Sequence, residues 1–168
     1  MEDQNEKVKV QTEDGKIVEL SKKAAQRSEL LKSLLVNYQE YSILNLNKVT
    51  GESFEKIKEY LEHYETEEPK EIQRPLKSLD FKECVDEWDY NFIGKEENID
   101  TLKKLILDAN FMNISSLINL LSAKIASKIK RINTPTIRKI FGIKELNEDE
   151  KKKFDEDKDY YEEYYNKI

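Results

Sequence analysis

An α/β fold is what this 168-residue sequence predicts: a small sheet of about three strands packed with helices, followed by a C-terminal helical extension. Three observations lead there. Residues 7–20 alternate apolar and polar around Asp14-Gly15, the pattern of a β-hairpin. From Ile99 to Ile143, apolar side chains recur every three or four positions, the pattern of helices buried on one side. Beyond them the chain turns strongly charged, and caps and turn residues mark short helices.

Each element has its own signal. Val8, Val10 and Thr12 form the outgoing strand, and Ile17, Val18 and Leu20 the return. Asp14-Gly15 between them tolerates the positive φ of a tight turn. Ser21 caps a helix from Lys22, which breaks and restarts at Ser28 with Leu31, Leu34 and Leu35 turned inward. Ser42 to Leu46 reads as the third strand. Thr50 caps a helix that carries Phe54, Ile57, Leu61 and Tyr64 on one face. Residues 65–84 hold two of the three prolines and no period, so they read as a linker. Val85, Trp88, Phe92 and Ile93 make a short helical stripe.

Two long helices follow. The first carries Ile99, Leu102, Leu105, Ile106 and Ala109; the second carries Leu117, Leu121, Ile125 and Ile129, flanked by Ile118 and Leu120. The second is apolar on more than one face, which predicts two packing partners, on this chain or on another. Thr134-Pro135 reads as an N-cap with proline at the first helical position, where its missing N–H costs nothing. Ile137, Ile140 and Phe141 line one face of that short helix, and Gly142 suits a left-handed end. Asn147 with Glu148, Asp149 and Glu150 opens a last, mostly charged helix. Its apolar residues are Phe154, Tyr160, Tyr161, Tyr164, Tyr165 and Ile168. A helix that polar needs something to pack on, either its own domain or a partner.

Composition narrows the function. A net charge of -6 speaks against attraction to phosphate backbones. Charged residues are 38% of the chain, with signs interleaved as on solvated helix faces. One cysteine, Cys84, leaves no internal disulfide and no cysteine metal cluster. The polar start and the lack of a long apolar run predict no signal peptide and no membrane span, hence a cytoplasmic and nuclear protein. His63 is the only histidine and reads as a surface or packing residue; no glycine turn or base marks a nucleophile. The four glycines never cluster, so no phosphate-cradling loop is predicted. Lys128, Lys130 and Arg131 read as charge at a helix C-terminus rather than a nucleic-acid contact. The expectation is a non-enzyme without cofactor or metal.

With these residues in view, the chain resembles the S-phase-kinase-associated adaptor family of SCF ubiquitin ligases, whose members have a BTB/POZ fold with a helical extension. The likeness rests on residues 8–20, on Leu44 to Tyr64, and on Glu87-Trp88-Asp89 with Phe92. Its most specific parts are Leu105 to Ile114 and Thr134 to Ile143. The resemblance implies a BTB/POZ cullin-binding domain over residues 1–131 and an F-box-binding extension over 132–168. It implies a bridge between the N-terminal domain of a cullin and F-box proteins, with a weak homodimer when no F-box is bound. The cullin side takes Asn110 and Phe111. The F-box side takes Ile137, Ile140, Phe141, Ile143, Leu146, Phe154 and Tyr160, with the second long helix. Pro135 matches a proline that is hydroxylated and then glycosylated in some unicellular relatives. Neighbouring readings are an elongin C-like adaptor, which ends soon after the second long helix, and a self-associating BTB scaffold.

The chain also departs from the family pattern. Asn37 to Tyr41 is short and barely acidic where an acidic loop is usual, and the segment after Thr134-Pro135 is one residue shorter. Tyr160 stands where many relatives have tryptophan, and Gly142 where asparagine is common.

Overall fold

The computed structural model describes residues 6–39, 42–130, 132–145, 147–153, 155 and 157. Strands β1 (Lys7–Thr12) and β2 (Ile17–Ser21) pair antiparallel, Val10 opposite Val18 and Val8 opposite Leu20. Gly15, at φ 78°, takes the left-handed position in the turn, while Asp14 does other work. Its carboxylate accepts from the Thr12 hydroxyl and from the Gly51 N–H (2.9 Å).

Two short helices follow, α1 (Lys22–Ala25) and α2 (Glu29–Leu35). Both serine caps form as the sequence predicts: the Ser21 hydroxyl accepts from the Ala24 N–H at 3.0 Å and that of Ser28 from the Leu31 N–H at 3.2 Å. Leu31 is buried and Leu35 half-buried, but Leu34 is exposed rather than turned inward. This helix of seven residues, about two turns, buries only Leu31 fully.

Strand β3 (Ile43–Leu46) pairs parallel to β1, Val10 opposite Leu44 and Thr12 opposite Leu46, giving the order β2-β1-β3. Alternation then sets the inner face: Val8, Val10, Thr12, Val18, Leu20, Leu44 and Leu46 are buried. Helix α3 (Gly51–His63) lays Phe54, Ile57, Tyr60 and Leu61 into the same core. Thr50 is its N-cap residue, yet the Thr50 side chain makes no capping bond. The cap is supplied from the hairpin, by Asp14 on Gly51.

Residues 65–80 have no regular structure. A 3₁₀ turn (Phe81–Glu83), helix α4 (Glu87–Asp89) and a π-helical turn (Tyr90–Gly94) come next. Here Phe81, Phe92 and Ile93 are buried. The Tyr64 hydroxyl donates to the buried Asp89 carboxylate at 2.9 Å, which fastens α4 to the end of α3.

The long helices are α5 (Ile99–Phe111), capped by Asn98, and α6 (Ser115–Ile129). They pack on each other through buried Leu102, Leu105, Leu117, Leu120 and Leu121. The expectation that the second apolar face of α6 belongs to another chain is corrected here. That face meets the 3₁₀ and π-helical turns, which bring Phe81, Phe92 and Ile93 against it. Lys124 fixes the contact: its buried ammonium donates to the Gly94 carbonyl and to Glu97, and lies 5.4 Å from the Phe81 ring centre. Among the described residues, no helix is long and apolar enough to cross a membrane.

The chain divides into two compact units, residues 1–131 and 132–168. In the second, α7 (Thr134–Phe141) ends at Gly142 in the left-handed conformation, φ 63°, with the Ile143 N–H returning to the Arg138 carbonyl at 2.9 Å. Its N-cap is Asn133, whose side chain accepts from the Thr136 N–H at 3.1 Å. That moves the cap one residue before the expected Thr134, and proline still falls within the first turn, where its missing N–H is harmless. Residues 148–153 are helical, and Asn147 and Glu150 cap each other reciprocally, each side chain accepting the other's backbone N–H at 2.9 Å.

Candidate protein-interaction sites

Apolar side chains reach the outside at several places among the described residues, Ile17, Val36, Ile43 and Leu79 included; two of these places hold residues that the family resemblance assigns to partners. The first is the corner at the end of α5. Asn110 and Phe111 lie in the last helical turn rather than between the helices, and the chain reverses through Asn113, in the left-handed region at φ 53°. Asparagine tolerates that conformation better than most residues. The turn closes with the Ile114 N–H on the Ala109 carbonyl, 2.9 Å. Ser28 holds the corner from the start of α2: while capping that helix, its buried hydroxyl donates to the Met112 carbonyl at 2.7 Å.

Asn110 is exposed and Phe111 half-buried, its inner side packed on the core. Leu107, one turn earlier, is 68% exposed. Residues 107, 110 and 111 share one helix face, so the three form a single outward ridge. Lys48, in the turn between β3 and α3, lies over the Phe111 ring with its nitrogen 5.5 Å from the centre. Sequence reasoning missed Leu107 and Lys48. Leu105, Ile106 and Leu107 are consecutive apolar residues, and periodicity does not say which faces out.

Beneath the ridge lies a polar clasp between α5 and α3. The Lys104 ammonium donates to the Thr50 hydroxyl at 2.8 Å. Asp108 is 6% exposed; one oxygen has no partner among the described residues, and the Ser53 hydroxyl bonds to the carboxylate. Burial raises the Asp108 pKa from its ordinary value; the Ser53 hydrogen bond and the Lys104 charge offset this in part. Asp89 is raised by burial as well, and so is its donor, Tyr64.

The second site is α7. None of its residues is buried. Ile137 and Ile140 are half-buried, Phe141 is 38% exposed and Ile143 53%. Spacing of three and four residues puts Ile137, Ile140 and Phe141 on one stripe, as the sequence predicts. Pro135 is exposed. Leu146, Phe154 and Tyr160, expected on the same surface, lie outside the described residues, as does Arg131 of the basic cluster.

The remaining candidates resolve into packing. His63 stacks flat on Trp88, ring centres 3.6 Å apart. The half-buried Cys84 thiol points at the Ser78 and Asp80 carbonyls, at 3.6 and 3.5 Å. Lys128 pairs with Glu97, and Lys130 donates to the Leu76 carbonyl at 3.5 Å.

Known proteins resemble the chain along most of its length. The sequence model of the Skp1 family, tetramerisation domain, matches residues 6–66, and that of the Skp1 family, dimerisation domain, matches residues 115–160. The chain is 35% identical over 137 residues to the S-phase kinase-associated protein 1 homolog of Tetrahymena thermophila, covering 82% of each chain. It is 28% identical over 141 residues to the E3 ubiquitin ligase complex SCF subunit sconC of Arthroderma benhamiae, covering 82% of this chain and 83% of that one. With the SCF ubiquitin ligase complex protein SKP1a of Dictyostelium discoideum the identity is 29% over 138 residues, with coverage of 82% and 83%. The α7 stripe falls inside the second match, whereas Asn110 and Phe111 lie between the two.

Proposed function

Since the chain belongs to the Skp1 family, we propose that it is an adaptor subunit of an SCF-type ubiquitin ligase, holding a cullin by the α5 corner and an F-box receptor by α7. The observation that carries this reading is the pair of outward apolar surfaces, one on each compact unit. The first offers Leu107, Asn110 and Phe111, the second Ile137, Ile140, Phe141 and Ile143. All of these except Leu107 are positions that the family resemblance assigns to the two partners.

The mechanism is bivalent scaffolding. Each partner binds its own unit, and tethering both on one chain raises the effective concentration of receptor-bound substrate beside the cullin-borne transfer machinery. The bridging calls for no covalent chemistry from this chain, and it takes place in the cytoplasm and nucleus. Without a receptor, the apolar stripe of α7 favours a weak homodimer.

Reconstitution of the full chain with a cullin N-terminal domain and an F-box segment tests the reading. The expected product is a ternary complex by light scattering. Asn110→Lys with Phe111→Lys sets charge against the cullin contact and abolishes that arm alone. Ile137→Lys with Ile140→Lys does the same for the F-box arm. A tight homodimer that persists beside the F-box segment would sink the proposal.

A further inference from the structure

Resting on the assignment of the α5 corner to the cullin, we propose that Lys48 selects the docking partner by charge. The surface fits a helix of the cullin N-terminal domain that lays apolar side chains over Leu107 and Phe111 and sets a carboxylate against the Lys48 ammonium.

Several features of the corner converge on this chemistry. Lys48 is exposed and forms no ion pair among the described residues. Other lysines of the hairpin, α3 and α5 are paired: Lys16 holds Glu55 at 3.1 Å, Lys56 holds Glu59 at 2.9 Å, and Lys103 holds Asp100 at 2.7 Å, while Lys104 donates to the Thr50 hydroxyl. The one carboxylate in this turn of α5, Asp108, faces the interior and gives Lys48 no counter-charge at the surface. The Lys48 nitrogen lies over Phe111, so its aliphatic stem lengthens the apolar ridge and its charge sits at the ridge's edge. An exposed leucine, a half-exposed phenylalanine and a cation with no ion pair among the described residues thus occupy one small area.

Electrostatics gives the arrangement direction. The molecule carries a net charge of -6, so its overall field repels an acidic partner. At the corner the local cation reverses that preference. A neutral or basic helix covering Phe111 would strip water from the ammonium and return nothing, and that desolvation penalty is a selection against it. A helix with a carboxylate at that point gains a partly desolvated ion pair, together with apolar cover for Leu107 and Phe111.

The test is titration calorimetry of the full-length protein with a recombinant cullin N-terminal domain at low and high salt, about 0.05 M and about 0.5 M. Lys48→Met keeps the stem over Phe111 and removes the charge; Lys48→Glu reverses it. At low salt we expect affinity to fall about threefold for Lys48→Met and about tenfold or more for Lys48→Glu, with both gaps narrowing at high salt. F-box binding stays at the wild-type level in both. Equal, salt-independent losses in the two variants would mean that Lys48 acts by packing, and charge selection would be overturned. Wild-type affinity in both, with Asn110→Lys/Phe111→Lys still abolishing binding, would overturn the role of Lys48 and leave the cullin assignment standing. Full binding by Asn110→Lys/Phe111→Lys would remove the assignment and this proposal with it.

Discussion

Helices α6 and α7 are both rich in isoleucine and leucine or phenylalanine, yet they treat those side chains in opposite ways. In α6, Leu117, Leu120, Leu121 and Ile125 are buried, and even the flanking Ile118 and Ile129 pack on the core. In α7 no residue is buried. The difference lies in what each helix has to pack against. α6 meets α5 on one side and the turns of residues 81–94 on another, so its apolar area stabilises the fold. α7 has a single apolar stripe, Ile137, Ile140 and Phe141, and none of its residues is buried. Apolar periodicity alone marks both as buried helices; only the fold shows that one is enclosed and the other is not.

The contrast breaks or sharpens under mutation. Leu121→Ala should cost about 3 kcal/mol in urea unfolding, since it leaves a cavity in a packed core. Ile140→Ala should cost under about 1 kcal/mol in the same measurement while weakening F-box binding by about tenfold. Comparable unfolding losses in the two would erase the distinction. Tyr64→Phe probes the buried polar side of the first unit. It strips Asp89 of its hydroxyl donor, and a thermal melt should report a loss of about 2 kcal/mol.

The smallest effect has the opposite sign. Asp108 binds its proton more tightly in the folded chain than in the unfolded one. The stability this contributes is full below the unfolded pKa and is lost as pH rises through the folded pKa. One oxygen of this buried side chain has no hydrogen-bond partner among the described residues. Asp108→Asn should be more stable at neutral pH by about 1 kcal/mol, and the gap should close as pH falls through the carboxylate range. A gap that widens on acidification would show that the carboxylate is satisfied in solution.

Much of this architecture is legible in the residues because local signals and packing agree. The hairpin, both serine caps, the α3 stripe and the Gly142 terminus all depend on neighbours within a few positions. What escapes is decided at long range. The α3 cap comes from Asp14, 37 residues before Gly51 in sequence. Lys124 looks like a surface residue until the Gly94 carbonyl and Glu97 come round to meet it. Leu107 and Lys48 join Phe111 at the α5 corner because β3 delivers its turn beside the end of α5, and no spacing in the chain announces that. Leu34 shows the converse: a short apolar helix presents more leucine than its neighbours can cover.

The stack of His63 on Trp88 has an optical consequence. The protein holds one tryptophan, and its indole lies parallel to an imidazole at 3.6 Å, with Phe92 on a near-parallel plane 5.0 Å away. All indole emission therefore originates at the junction of α3 with the segment after the linker. Intrinsic fluorescence is a local gauge: it reads whether residues 87–92 are seated on α3, and is blind to events that leave that junction untouched.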